Sequence, residues 1–299
     1  MGRALERKPD WLKKDLPDGR AMKRMRTLLA DLNLHTICES ANCPNIGECW
    51  GESTATFLIL GNICTRRCGF CDVTTGRPDL VDPHEPENVA EAIAHLGIKH
   101  AVITMVNRDD LEDAGAEHIA RTIRAVRRRN PDTTIEVLVS ELKGREDLIG
   151  QVLEAKPDVF AHNLETVRRL HRKVRPRFRY DQSLEVLAIA RRLAPDVYTK
   201  SNIMVGLGET EEEVIEMMKD LRSVDCDFLT IGQYLRPSEK HLPVEEFVHP
   251  DVFRRYQAIA EELGFKYVFS GPFVRSSYQA GSALKHVAAM ERAERAGNA

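Results

Sequence analysis

Residues 56–73 read TFLILGNICTRRCGFCDV, a β-rich run that leads directly into three closely spaced cysteines. The run Thr56–Leu60 is typical of a short strand, and Cys64, Cys68 and Cys71 follow it with three and then two residues between them. In a parallel α/β barrel, the loops after the strands form the active face. Three soft thiolates can hold one iron–sulfur cube and leave its fourth iron without a protein thiolate. The stretch therefore predicts an α/β fold with reactive chemistry after its first strand.

Short β-rich runs alternate with amphipathic helical segments along the chain from about residue 54. Between the first two runs, Val89, Ile93 and Leu96 follow the spacing of one helix face, and Gly97 then ends the helix. Such alternation predicts parallel strand pairing. The predicted strands are Thr56–Leu60, His100–Met105, Thr134–Val139, Asp158–Ala161, Tyr198–Val205 and Phe228–Tyr234.

These six strands are fewer than the eight of a complete barrel, so we predict a partial (β/α)6 TIM-type barrel. Residues 1–53 lie outside the alternation and form an N-terminal extension, and the barrel occupies residues 54–263. Residues 264–299 form a C-terminal segment, in which Gly264–Tyr278 can add a final strand before a polar, mobile tail. We expect both extensions to cap the active face.

The composition is that of an ordinary soluble protein, with 42% hydrophobic residues, 30% charged residues and a net charge of −3. This charge gives no argument for binding to nucleic acid or to a membrane. The amino terminus has no apolar stretch, and the most apolar run, residues 54–64, is about half as long as a membrane helix. We therefore expect a cytoplasmic protein, in which clustered cysteines favour metal over disulfides.

The spacing of Cys64, Cys68 and Cys71 separates two kinds of metal site. A structural zinc site needs four ligands, for which His84 would be a distant fourth, and zinc motifs more often pair two cysteine doublets. The spacing resembles that of the radical S-adenosylmethionine enzymes, including Phe70 before the third cysteine. The resemblance implies a 4Fe-4S cluster whose open iron is chelated by the methionine part of S-adenosylmethionine.

A further cysteine triplet lies upstream, within the segment HTICESANCPNIGECW of residues 35–50. We call Cys38, Cys43 and Cys49 the first triplet, and the cysteines that follow the strand the second triplet. Taken alone, the first triplet fits a second cluster and a zinc knuckle equally well. Together with four other segments, however, it resembles the lipoyl synthase family, in the expected order from residue 7 to residue 280. These segments are RKPDWLKKDLP (7–17), CTRRCGFCDV (64–73), HNLETV (162–167) and RSSY (275–278).

The lipoyl synthase resemblance implies that the first triplet holds an auxiliary 4Fe-4S cluster whose fourth ligand is a serine of RSSY. We place this ligand at Ser277, with Ser276 as the reserve. An alkoxide is a harder ligand than a thiolate and suits iron less well, so one corner of the cluster would be labile. Without the resemblance, two adjacent serines are typical of a turn.

The resemblance also implies a reaction, the insertion of two sulfur atoms at carbons 6 and 8 of an octanoyl chain on a carrier-domain lysine. An unactivated C–H bond has no useful acidity, so a general base such as His162 or Glu165 cannot start this reaction, whereas a radical can. The auxiliary cluster would supply the sulfur, so both clusters should face one cavity that also holds the substrate.

The implied partners follow from the same resemblance. The octanoylated carrier would be a 2-oxoacid dehydrogenase subunit or a glycine-cleavage carrier protein. Electrons would come from a donor such as ferredoxin or flavodoxin, and an iron–sulfur carrier would rebuild the auxiliary cluster. The resemblance implies neither a nucleic acid partner nor a membrane partner.

Several polar residues lie at the ends of predicted strands or on them. Asn163 and Glu165 follow the fourth strand, and Lys200 and Asn202 lie on the fifth. The resemblance implies that they contact S-adenosylmethionine, and ordinary loop polarity explains them equally well. Residues 168–179 contain seven Lys or Arg, which is typical of a solvated helix face and also compatible with docking of an acidic carrier.

Three rival functions remain open at this point. A methylthiotransferase acting on tRNA usually carries an added RNA-binding module, whereas only about twenty residues follow RSSY here. A biotin-synthase-like reaction shares the use of cluster sulfur, although the segment 35–50 favours the lipoyl type. A non-catalytic iron–sulfur carrier or sensor would keep both triplets and would not cleave S-adenosylmethionine.

Overall fold

The computed structural model describes residues 7–14 and 18–297, with side chains described as far as residue 293. Within these residues, eight strands form one sheet whose order follows the chain. The strands are β1 (His35–Thr36), β2 (Thr56–Ile59), β3 (His100–Met105), β4 (Thr134–Leu138), β5 (Val159–Ala161), β6 (Tyr198–Val205), β7 (Phe228–Gln233) and β8 (Tyr267–Gly271).

Helices separate the strands, and their ends follow the predicted signals. The helix that contains Val89 and Ile93 ends before Gly97, whose φ of 64° suits glycine. The helices are α1 (Gly19–Asp31), α2 (Ile37–Ser40), α3 (Ile46–Gly51), α4 (Glu85–Leu96), α5 (Ala116–Arg129), α6 (Glu146–Glu154), α7 (Arg168–Val174), α8 (Tyr180–Leu193), α9 (Glu211–Ser223), α10 (Pro250–Glu262) and α11 (Gly281–Gly297), with short 3-10 turns at Asp10–Leu12 and Leu142–Gly144.

The sheet is an open barrel. Strands β2 to β8 are parallel, and β1 pairs antiparallel with β2. The two ends of the strand order are β1 and β8, so the sheet has two edges, and we call the gap between them the seam. All six predicted strands are confirmed to within one residue at either end, and the final strand expected within Gly264–Tyr278 is β8. Strand β1 was not predicted, because two residues are too few to show a period.

Apolar helix faces cover the outside of the sheet. Ile119, Ile123 and Val126 of α5 are all buried, as the i, i+4, i+7 spacing requires, and so are Val89 and Ile93 of α4. Burying a side chain of this size stabilises the fold by about 1.5–3 kcal/mol. None of the helices in the described part of the chain combines the length and apolar character needed to cross a bilayer.

The C-terminal helix α11 lies at the amino ends of the strands, away from the active face. Its Ala283 and Val287 pack against Val159 and Phe228, which are the first residues of β5 and β7. The ring of Tyr267, which begins β8, lies 5.5 Å from the ring of His286. This placement differs from the expectation that the whole C-terminal segment caps the active face, and the packed helix replaces the expected mobile tail over Gly281–Gly297. The small apolar face of α11 packs against Phe228 and Tyr267, which are aromatic residues at the starts of strands.

The two extensions meet at the seam. The Asn45 amide donates a 2.7 Å hydrogen bond to the carbonyl of Phe273, and the Tyr278 hydroxyl donates to Glu48. Strands β1 and β8 make both extensions part of the barrel sheet. The division of the chain at residues 53/54 and 263/264 stays a prediction.

One glycine allows the C-terminal segment to approach the sheet. A Cβ on Gly232 of β7 would lie 2.0 Å from the carbonyl oxygen of Val274, which no real side chain tolerates. Because Val274 immediately precedes Arg275–Tyr278, the bare backbone at Gly232 lets that motif lie close to the active face.

Candidate active site

The loop of the second triplet is fixed by backbone hydrogen bonds on several sides. The Cys64 amide donates to Thr74 O at 2.8 Å. The Gly69 amide donates to Val174 O at 2.8 Å, and Gly69 O accepts from the Leu242 amide at 2.9 Å. The loop is therefore positioned by α7 and by the segment after β7 as well as by its own turn.

A cavity of about 460 Å³ opens at the carboxyl ends of the strands, and we call it the upper cavity. All three cysteines of the second triplet line it, and so do Cys43, Ser276 and Ser277 from the two extensions. The structure thus brings part of the first triplet and the serine pair to the same space as the second triplet, as expected for two clusters that share a substrate.

The thiols of the second triplet fit a metal cluster through their burial and mutual proximity. Burial raises the pKa of Cys68 to about 11 and that of Cys71 to about 12, and neighbouring thiols add to both shifts. Iron must therefore displace protons to bind here. In the part of the chain that is described, no three His, Cys, Asp or Glu side chains are arranged to hold a single metal ion. A cube, by contrast, takes three thiolates on three different irons.

Asn163, Glu165 and Asn202 form a polar cluster in the upper cavity. The Glu165 carboxylate accepts hydrogen bonds from the side-chain amides of Asn163, at 2.9 Å, and Asn202, at 3.3 Å. Burial raises the pKa of Glu165. The Glu165 backbone is held at a φ of 68° between Asn202 and Met204, a strained conformation of the kind found at ligand sites.

A buried acceptor in this cluster has no partner. Asn163 Oδ1 makes no hydrogen bond in the structure although the residue is buried. An unsatisfied buried acceptor costs about 1–3 kcal/mol. A ligand with hydroxyl or ammonium donors would remove that cost, so the cluster is suited to a ligand that carries such donors.

The structure does not bring Lys200 to this cluster. Its ammonium is buried and lies 2.7 and 2.9 Å from the two carboxylate oxygens of Glu136. Lys200 is absent from the lining of the upper cavity, which includes Phe70, Asn163, Glu165 and Asn202. The prediction failed for this residue because alternation along a strand does not show which polar side chain has a partner inside the barrel.

A stack of two guanidinium groups and one aromatic ring was missed by sequence reasoning. The guanidinium carbon of Arg66 lies 4.4 Å from the centroid of the Phe178 ring, and that of Arg175 lies 3.8 Å from it. Arg175 is buried, donates to Asn163 O at 2.7 Å and lies beside Cys68, whose pKa it lowers against the effect of burial. The available signal was a phenylalanine within a basic run, and nothing in the run marked Arg175 as buried.

Most of the basic run 168–179 is neutralised by its neighbours. Arg168 pairs with Asp181, Arg169 pairs with Glu213, and Arg175 is internal. The docking of an acidic carrier at this run stays a prediction, for which Arg172, Arg177 and Arg179 are exposed, and so is Lys173, which lies 3.8 Å from Glu245.

The first triplet lies next to the seam, with Cys38 on α2, Cys43 on the turn between α2 and α3, and Cys49 on α3. Burial raises the pKa of Cys38 to about 11 and that of Cys49 to about 12. All three of its cysteines and Ser277 line a second cavity of about 720 Å³, which we call the lower cavity. Ser277 lines both cavities, whereas Ser276 lines only the upper one. This placement favours Ser277 as the partner of the first triplet.

Family models match this chain in two regions. A model of the radical SAM superfamily matches residues 58–221, which cover the barrel from β2 to α9. A model of the N-terminal domain of lipoyl synthase matches residues 2–43, which end within the first triplet.

Curated relatives match over most of their length. The lipoyl synthase of Rubrobacter xylanophilus is 55% identical over 91% of this chain and 85% of its own. The lipoyl synthase of Flavobacterium johnsoniae is 56% identical over 94% of this chain and 96% of its own. The lipoyl synthase of Thermus thermophilus is 54% identical over 91% of this chain and 85% of its own.

Solved structures share the fold at low sequence identity. Methylornithine synthase superposes with a TM-score of 0.54 at 15% identity and covers 86% of this chain and 84% of its own. A maturase of the FeFe-hydrogenase superposes with a TM-score of 0.56 at 13% identity and covers 83% and 55%. These likenesses support the partial barrel and nothing more specific.

Proposed function

The chain belongs to the lipoyl synthase family of the radical S-adenosylmethionine superfamily, and we propose that its two cysteine triplets divide the family's reaction between them. The enzyme transfers sulfur and uses S-adenosylmethionine and two 4Fe-4S clusters. It inserts two sulfur atoms at carbons 6 and 8 of a protein-bound octanoyl-lysine, which gives the lipoyl cofactor. The supporting observation is the upper cavity, in which Cys43 and Ser277 face the second triplet.

In this proposal Cys64, Cys68 and Cys71 hold the cluster that binds S-adenosylmethionine. When bound, the two together supply a primary carbon radical that can take a hydrogen atom from an unactivated carbon. Asn163 and Glu165, together with the residues Asn202 and Phe70, bind and orient the cofactor. The unpaired Asn163 Oδ1 supports this role, because it is an acceptor already positioned for a donor.

In the same proposal, Cys38, Cys43, Cys49 and Ser277 hold the auxiliary cluster, which supplies the sulfur. Ser277 is a hard ligand among soft ones, so its corner should open most readily. The upper cavity confines the octanoyl chain between the two sites and keeps a reactive carbon close to the sulfur source, which is an effect of proximity.

The partners follow from this reaction. The substrate is carried by a lipoyl-carrier protein, such as a 2-oxoacid dehydrogenase subunit or a glycine-cleavage carrier protein. A ferredoxin or flavodoxin would deliver electrons, and an iron–sulfur carrier would rebuild the auxiliary cluster. We place the enzyme in the cytoplasm, where its buried thiols stay reduced.

The direct test uses anaerobically reconstituted protein with dithionite, S-adenosylmethionine and an octanoyl-lysine peptide, followed by mass spectrometry. A gain of two sulfur atoms on the peptide together with 5′-deoxyadenosine is the expected result. If 5′-deoxyadenosine forms and the peptide gains no sulfur, the protein is a radical enzyme and octanoyl-lysine is not its substrate. Neither product, from protein with two counted clusters, would indicate an electron carrier instead.

A further inference from the structure

The auxiliary site can be approached from two opposite ends of the barrel. The upper cavity lies at the carboxyl ends of the strands, and the lower cavity lies at their amino ends. Thr56, His100 and Thr134, at the starts of β2, β3 and β4, line the lower cavity, and the helix α11 borders it. The two cavities therefore reach the first triplet from different sides.

The two cavities meet only around the first triplet. Ile37, Cys43, Arg275 and Ser277 line both of them. The other cysteines are divided: Cys38 and Cys49 line the lower cavity alone, and Cys64, Cys68 and Cys71 line the upper cavity alone. The lower cavity thus gives access to the first triplet without passing the second.

Most of the charged residues that line the lower cavity are basic. The basic side chains of Lys99, Lys285, Arg275 and Arg292 face it, and Glu52 is its one acidic lining residue among those described. Low-dielectric walls with one sign of charge concentrate counter-ions. A small anion would therefore be attracted to this cavity, and it would arrive beside thiol groups and Ser277.

We propose that the lower cavity is a route by which hydrosulfide can reach the first triplet and replace the auxiliary sulfur without the iron–sulfur carrier. This inference rests on the proposed function, in which product formation removes sulfide from the auxiliary site. Hydrosulfide is already at the oxidation level of cluster sulfide, so its arrival needs no oxidant or reductant and releases one proton. The route leaves the upper cavity to the cofactor and the substrate chain.

Helix α11 offers a position at which the route can be blocked. Ala288 lines the lower cavity and is exposed, so a large side chain there fills the cavity without disturbing a packed core. Its neighbour Ala289 is equally exposed and does not line the cavity. Ala288→Trp and Ala289→Trp are therefore a matched pair, because both add the same exposed side chain and only the first adds it at the lower cavity.

The first test measures cysteine alkylation by iodoacetate, an anion, on the cluster-free full-length chain, with mass spectrometry at each cysteine. Ala288→Trp should slow labelling of Cys49 severalfold and leave Cys68 unchanged, and Ala289→Trp should change neither. Equal labelling of Cys49 in all three proteins would overturn the proposed route, and so would equal slowing by both tryptophans.

A charge reversal tests whether the cavity attracts anions, separately from whether it is wide enough for them to pass. Lys285→Glu should slow labelling of Cys49 by iodoacetate about threefold relative to neutral iodoacetamide, because one nearby charge changes sign in a partly screened site. An unchanged ratio of the two rates would show that the basic lining does not steer anions.

The second test follows heavy-isotope sulfide into loaded enzyme that has completed one turnover, with ferrous ion and sulfide supplied. Ala288→Trp should slow the uptake of labelled sulfide and leave the sulfur yield of the first turnover unchanged. Unchanged uptake would contradict the route. If the wild-type enzyme inserts no sulfur, the proposed function is wrong. The alkylation experiment would still show whether anions reach Cys49 through the lower cavity.

Discussion

The two cysteine triplets differ in how the fold holds them. Cys64, Cys68 and Cys71 lie in one loop, which backbone hydrogen bonds fix to its own turn, to α7 and to the segment after β7, and they line the upper cavity alone. The first triplet is spread over two short helices, and its serine partner, Ser277, comes from the other end of the chain. The ligands of the second triplet therefore come from one loop, whereas the ligand set of the first triplet depends on the meeting of two chain segments.

This difference matches the two tasks that we propose. A cluster that is used repeatedly benefits from ligands held in a single fixed loop. A cluster that is consumed must be opened and refilled, and a site between two segments, reached from two cavities, allows both. We therefore expect changes at the seam to affect the first triplet and to spare the second.

The largest expected effect on bound iron comes from Gly232→Val. The new side chain must displace the Val274 carbonyl and with it the segment Arg275–Tyr278, and such overpacking costs about 1–3 kcal/mol of folding free energy. We expect loss of the iron bound by the first triplet and retention of the iron bound by the second, measured by iron analysis and Mössbauer spectroscopy. Gly271→Ala, whose Cβ would meet Val274 Cγ2 at 3.4 Å, should retain both. Equal iron loss from both sites would remove the contrast.

The next effect concerns stability and tests whether Lys200 contacts the cofactor. Lys200→Met leaves the buried Glu136 carboxylate without its ammonium partner, which should lower the free energy of unfolding by about 3–5 kcal/mol. Affinity for S-adenosylmethionine should be unchanged in the folded protein. The control Lys266→Met removes a half-exposed partner of Asp227 and should cost at most about 1 kcal/mol. A selective loss of cofactor affinity would restore Lys200 to the site.

A smaller effect tests the polar cluster beside the second triplet. Asn163→Ala removes both the unpaired acceptor and the amide that holds Glu165, so affinity for S-adenosylmethionine should fall about tenfold. Equilibrium binding to the cluster-loaded protein measures this change. Asn88→Ala removes a hydrogen bond to Leu32 O outside the upper cavity and should leave the affinity unchanged. If both variants bind alike, the cluster is not a cofactor site.

The smallest effect sharpens the comparison at the seam. Asn45→Ala removes the hydrogen bond to Phe273 O and should cost about 1 kcal/mol of stability. Release of iron from the first triplet to a chelator should become faster, with no change at the second. Asn130→Ala removes a similar bond, to Ala90 O, and should leave both release rates unchanged. Faster release in the Asn130 variant would point to general destabilisation instead.

Much of the barrel was predictable because its signals are local. Strands such as His100–Met105 and Tyr198–Val205 show their boundaries in their own residues, and the second triplet follows β2 directly. The helix α11 was not predicted, because its partners, Val159 and Phe228, are remote in sequence. Local patterns predict which face of a helix is apolar and do not predict what that face meets.

The site residues also differ in how far the sequence predicts them. Asn163, Glu165 and Asn202 were predicted from the family resemblance, and they line the upper cavity. The burial of Arg175, by contrast, depends on Phe178 and on the carbonyl of Asn163, contacts that form only when α7 folds back on the barrel. Its neighbours in sequence are solvent-exposed cations, so composition favoured the wrong environment.

The division of labour between the triplets is tested most directly by comparing Cys64→Ala with Cys43→Ala. Both variants are reconstituted, their clusters are counted, and 5′-deoxyadenosine and peptide sulfur are measured in the same reaction. We predict that Cys64→Ala forms neither product, and that Cys43→Ala still forms 5′-deoxyadenosine and inserts no sulfur. Equal loss of both products in a folded Cys43→Ala protein with an intact cluster at the second triplet would contradict the account.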